Sequence, residues 1–172
     1  MKHTHTMIHT YVTLMIVIFA GMFLLLPTNT HAYFTTNQKA ISLNSHTGLF
    51  LIEYAFGTKK YDITMPVQAT TSSIKDDTVL GYEIRDTHGD VVHGKTQAII
   101  LSNATLGRDG MYHIQQGTAQ KMLLAVFFTP DTPQRDAYNL QVTHLPFQFD
   151  ETQKLQLNPS ELIYYKTPAT EL

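Results

Sequence analysis

AYNLQVTH, residues 137–144, alternates without a break: Tyr138, Leu140 and Val142 fall on one side, Asn139, Gln141 and Thr143 on the other. A period of two puts successive side chains on opposite faces of a strand, so this stretch reads as a strand with one face in a core and one in water. The same rhythm runs through KYDITMPV (60–67), where Tyr61, Ile63, Met65 and Val67 share a face, and TVLGYEIRD (78–86), where Leu80, Tyr82 and Ile84 do. GLFLIEYAF (48–56) and KMLLAVFF (121–128) are apolar on both faces. They read as central strands, covered on both sides for part of their length. VVHGKTQAIIL (91–101) reads as a strand with a bulge expected at Gly94. MYHIQ (111–115) and ELIYY (161–165) read as short strands.

Turn chemistry separates these runs. DTHGD (86–90) is expected to be a hairpin loop, with Gly89 supplying positive φ. Gly57, Gly117 and the Pro130–Pro133 region punctuate the others. Strands with turn signals about every 8–12 residues and no long helical period predict an all-β fold, a sandwich or barrel. LGRDGMYHI (106–114) then adds a resemblance. It is similar to the stretch in immunoglobulin-like and fibronectin-like domains where a tyrosine, here Tyr112, follows a corner. Its hydroxyl would bond back to the upstream backbone. Ile114 stands where the antibody version has a cysteine, and the Asp109–Tyr112 spacing is one residue short of the usual form. The resemblance implies an immunoglobulin-like antiparallel β-sandwich of roughly seven to nine strands.

Upstream the composition changes. Lys2 is the one fixed positive charge before an apolar run at 12–26, Pro27 ends that run, and TNTHA follows. A basic start, a short apolar core and small residues at a cut site are the parts of a secretory signal peptide. The run is short for a membrane-spanning helix, which needs about 20 residues. Thr30 and Ala32 occupy the positions a signal peptidase reads, so residues 1–32 are expected to be removed after Ala32. The alternative is an uncleaved membrane anchor, which would be the chain's one link to a membrane. Residues 33–46 then read as a linker or lead-in, and 47–172 as a single β-sandwich domain. The expected location is secreted, periplasmic or at the cell surface.

The chain has no cysteine, which excludes disulfides, thiol catalysis, cysteine-ligated zinc and lipid attachment at a leader. A cysteine-free exported chain fits a bacterial product. The net charge is −2 with no basic stripe, which points away from nucleic acid. No Gly-x-Ser-x-Gly elbow, His-Glu-x-x-His helix or nucleotide-binding glycine loop occurs, so no cofactor is expected. The adjacent acids Asp76–Asp77 and Asp150–Glu151 read as solvated surface.

Histidines carry the remaining chemistry. His88, Asp90 and His93 lie on one expected hairpin, and two imidazoles with a carboxylate suit zinc or copper. Asp86, Asp90 and loop carbonyls would suit calcium. His31 becomes a ligand only if it is the mature N-terminus, where its amino group and imidazole would chelate copper together. The leading expectation is an exported, non-catalytic binding or structural module of the cell envelope, with a protein or surface component as partner. Edge strands would accept the partner's strand. A periplasmic copper or zinc protein is the alternative, and a hydrolase with a site assembled in space is the third.

Overall fold

A computed structural model describes residues 31–71, 78–132, 136–149, 153–156 and 159–172. In chain order the elements are β1 (His31–Asn44), β2 (Thr47–Thr58), β3 (Ile63–Met65), β4 (Ala69–Thr71), β5 (Leu80–Arg85), β6 (Gly94–Ser102), β7 (Thr105–Leu106), β8 (Tyr112–Ile114), β9 (Ala119–Pro130), β10 (Ala137–His144), β11 (Pro146–Phe149), β12 (Gln153–Gln156), a helical turn α1 (Pro159–Leu162) and β13 (Thr170–Glu171). The protein is all-β. Its strands form three sheets, in the orders β1-β2-β9-β6, β13-β10-β5-β4 and β12-β11-β3-β8-β7. Every ladder is antiparallel except that of β4 with β5.

The alternation sets which side chains make the core. Leu80, Tyr82 and Ile84 of β5 and Tyr138, Leu140 and Val142 of β10 are buried, as are Ile63 and Met65 of β3. Tyr61 stays exposed, because the strand begins only at Ile63. Against them lies one face of the first sheet: Phe50, Ile52, Tyr54 and Phe56 of β2, and Met122, Leu124, Val126 and Phe128 of β9. Aromatic rings tie this sheet to both others, Phe128 to Tyr138 at 5.6 Å and Phe56 to Phe147 at 5.0 Å between centroids. Burying each such side chain contributes about 1.5–3 kcal/mol, enough to hold a cysteine-free core.

Four expectations change. Residues 33–46 lie within β1 and the turn after it, pairing with β2 from His31–Thr58 to Asn44–Thr47. ELIYY is not a strand: α1 opens on Pro159, a residue suited to the first helical position, and Tyr165 N–H donates to Leu162 C=O at 2.9 Å. Leu162 and Tyr165, three apart, are both buried, while Tyr164 is 67 % exposed. Gly94 carries no bulge, since β6 pairs with β9 in unbroken register from Gly94–Pro130 to Ser102–Met122. Glycine is needed there for close approach: a Cβ would collide with the Thr129 carbonyl oxygen and come within 2.6 Å of the Phe128 ring. Finally, the 86–90 loop is tight and Gly89 has φ +88°, yet it does not close an ordinary hairpin. β5 and β6 touch at the Arg85–Val91 bridge and then enter different sheets. The leader and both adjacent acid pairs lie outside the described residues, among which no helix is long and apolar enough to cross a membrane.

Candidate functional site

The loop after β5 is organised by one carboxylate. Asp86 Oδ1 accepts the N–H groups of His88 and Asp90, each at 2.9 Å, and Asp86 N–H donates to the Asp90 carbonyl at 3.0 Å. Asp136, just before β10, works alike: its Oδ1 accepts the Thr87 hydroxyl at 3.0 Å and the Ala137 N–H at 2.7 Å. These bonds bring Asp86, His88 and Asp136 together, with one ligand-type atom from each within 4.8 Å of the others. His88 Nδ1 stands 3.8 Å from Asp86 Oδ2, and the His88 side chain is largely exposed. Two carboxylates and an imidazole are a donor set for a divalent ion of the zinc or copper kind, with positions left for water.

The expected set is divided by the structure. His88 joins the group. Asp90 bonds to Asp86 through its backbone, and His93 stands in the next segment, its carbonyl accepting Asp131 N–H at 3.3 Å. Asp136 takes the place that sequence reasoning gave to His93. His31 lies in β1 opposite Thr58. His93 instead lines a cleft of about 280 Å³ between β4–β5 and β6, with Thr71, Tyr82, Glu83, Val92 and Thr96 among its walls. Burial pushes the Tyr82 hydroxyl above its ordinary pKa, and its hydrogen bond with Thr96 opposes that shift.

The first sheet supplies a different surface. Pairing aligns Ile41, Leu49, Phe127 and Gln97 in one row across its outer face, and Lys39, Leu51, Ala125 and Ile99 in the next. Glu53, Leu123 and Leu101 continue it. Ile41 and Ile99 are both 41 % exposed, and Leu101 is 54 % exposed. The apolar rows are bordered by Lys39, Lys95 and Lys121, the last paired with Glu53 at 3.0 Å. This second apolar face is the one that the unbroken runs at 48–56 and 121–128 announce.

The two edges of this sheet differ. β1 carries register breaks between Thr35 and Asn37 and between Ser42 and Asn44. β6 has none over nine residues. On β6 the Tyr112 hydroxyl donates to the Ile100 carbonyl at 3.1 Å, a bond back to the upstream backbone.

Two other polar pairs complete the chemistry. Ser45 Oγ lies 2.7 Å from His46 Nδ1, but the two are neighbours on an exposed turn, and nucleophile activation needs a base that is itself oriented in a water-excluding site. His113 Nε2 bonds both Asp109 carboxylate oxygens, at 3.0 and 2.9 Å. That contact, then the Met111 N–H, holds the Asp109 carboxyl below the ordinary aspartate range. Comparison with known proteins finds no matching family model and no matching curated protein.

Proposed function

We propose that this chain is an exported, non-catalytic β-sandwich of immunoglobulin-like kind that works by binding a protein or surface component of the cell envelope. The observation that carries the reading is the first sheet. It is apolar on its outer face as well as its inner one, and it ends at the regular strand β6. An apolar surface rimmed by polar residues marks an interaction site. The Tyr112–Ile100 bond and the packing of the first sheet on the other two support the immunoglobulin-like assignment. The apolar stretch before residue 27, ended by Pro27 and followed by small residues, supports export.

A photo-crosslinking residue placed at Leu101 tests this in the expressing cell. Adducts to an envelope component from Leu101, with none from the still more exposed Tyr164, are expected. Equal labelling from both positions, or none from Leu101, refutes it.

A metal-handling role is the second reading, favoured by the Asp86, His88 and Asp136 group. Calorimetric titration with zinc and with copper should then give saturable heat that His88→Ala removes. Heat unchanged by that substitution refutes this site.

A further inference from the structure

We infer that the outer face of the first sheet docks on an anionic lipid surface. The inference rests on the reading of that sheet as a binding surface and names the chemistry of its partner. Strand register gathers Ile41, Leu49, Leu51, Phe127, Ile99 and Leu101 on this face, drawn from all four strands. Ile41, Ile99 and Leu101 are exposed. The middle of the face offers little to a partner that binds through directional bonds. The backbones of β2 and β9 are paired on both sides, β2 with β1 and β9, and β9 with β2 and β6. Their central outward side chains, Leu49, Leu51, Ala125 and Phe127, carry no hydrogen-bonding group.

Charge selects the partner. Among the described residues the face carries three lysines, Lys39, Lys95 and Lys121, against one acid, Glu53, a formal charge of +2 on a chain whose net charge is −2. Lys121 is paired with Glu53 at 3.0 Å. Lys39 and Lys95 stand on the two outermost strands, β1 and β6, one on each side of the apolar rows. A second copy packed face to face would set +2 against +2, so the face does not complement itself. Protein interfaces favour arginine and aromatic rings and are poor in lysine. None of these four strands contains arginine or tryptophan. An anionic bilayer surface asks for what this face has. Apolar side chains enter the acyl boundary without directional bonds, and lysine stems lie along them with their ammonium groups at the headgroups. Each lysine near such a surface adds a modest attraction, so the docking is reversible and sensitive to salt.

Co-sedimentation with vesicles tests this, using protein purified from cells expressing all 172 residues. One set of vesicles is phosphatidylglycerol mixed with phosphatidylcholine, and the other is phosphatidylcholine alone. Binding to the anionic set is expected, with at least about tenfold less to the neutral one. The pair Lys39→Gln with Lys95→Gln should weaken anionic binding about tenfold or more. The pair Ile99→Gln with Leu101→Gln should weaken it as much, and Tyr164→Gln, an exposed site elsewhere, should leave it unchanged. All these side chains are exposed, so circular dichroism and urea unfolding of the variants should match the parent. No binding to the anionic vesicles overturns the inference, as does equal binding to both sets. Binding that ignores both pairs of face substitutions also overturns it, and is what attachment through residues 1–32 alone would give. Leu101 adducts to an envelope protein, in a chain that leaves anionic vesicles alone, would remove this inference and leave the binding-module reading standing. No adducts from Leu101 would remove that reading as well.

Discussion

Replacing Tyr54 by phenylalanine should stabilise the protein. Tyr54 sits in β2 with no solvent exposure, its ring 5.7 Å from that of Tyr165. Its hydroxyl has no hydrogen-bond partner among the described residues. A buried hydroxyl left unpaired costs about 1–3 kcal/mol, while removing the oxygen forfeits only a few weak contacts, worth about 0.1–0.2 kcal/mol each. The net gain is about 1–2 kcal/mol. With an unfolding entropy near 0.3 kcal/mol/K for a unit of this size, the melting temperature should rise by about 3–6 °C. The pH dependence gives a second signature. Burial first, then the neighbouring Tyr165 and Tyr112, pushes the Tyr54 hydroxyl far above its ordinary value. A raised folded-state pKa gives stability that is fully present below about pH 10, the unfolded value, and lost as the pH rises past it. The unfolded chain releases this proton while the folded one cannot, at about 1.4 kcal/mol per pH unit. Urea denaturation at pH 7 and at pH 11 should therefore show Tyr54→Phe more stable at both, with the gap about 1.4 kcal/mol wider at the higher pH. A variant less stable than the parent at pH 7, or alkaline curves that run parallel, would refute the reasoning.

Gly94→Ala should destabilise by about 1–3 kcal/mol, measured by the same denaturation, because the new Cβ meets the backbone of Thr129 and Pro130 instead of a side chain that can swing away. Deleting residues 155–172 removes Leu162, Tyr165 and Leu172 from the core and the Thr167 hydroxyl that accepts Leu140 N–H at 2.9 Å. The product should show no cooperative unfolding transition, and a soluble, cooperatively folded fragment would contradict this. The Asp109 carboxyl should titrate below the ordinary value of about 4 by NMR. Its lowered folded-state pKa means that the stabilisation is present above that value and disappears as the pH falls through the folded one. Asp109 shifting at or above pH 4 would oppose the His113 contact as its cause.

Where one face of a strand enters the core, the sequence announces it: Leu80, Tyr82 and Ile84, or Tyr138, Leu140 and Val142, have no other amphipathic reading. β1 escapes the same test because its apolar residues Ile41 and Leu43 lie on the exposed side. With Ile41 and Leu43 outward and only the small Ala40 against the core, the stretch 37–43 has no inward apolar face to display. The segment 161–165 misleads for the opposite reason. Ile and Tyr favour strands by composition, but Pro159 favours a helical start, and the buried pair Leu162 and Tyr165 follows the helical spacing of three. Tyr164 outward and Tyr165 inward satisfy both readings, and it is Ile163, exposed beside Tyr164, that breaks the alternation of a strand.

The candidate sites depend on topology that no local pattern contains. β5 and β10 run antiparallel with Arg85 opposite Asn139, so the residue leaving β5 must come near the residues entering β10. That register makes Asp136 the companion of Asp86 and His88, across fifty positions of sequence. His93, though close along the chain, is carried away when the strands separate. The same separation sets what covers the outer side of β6. A hairpin would have given β6 a partner on each side, β5 and β9. Instead the ladder with β5 stops after Arg85–Val91, Gly94 lets β6 lie tight against β9, and β5 turns into the second sheet. The outer side of β6 faces the cleft at Gly94 and Thr96 and meets the Tyr112 hydroxyl at Ile100. Moving β5 further onto β6 would require it to leave β10, exposing Leu80, Tyr82 and Ile84.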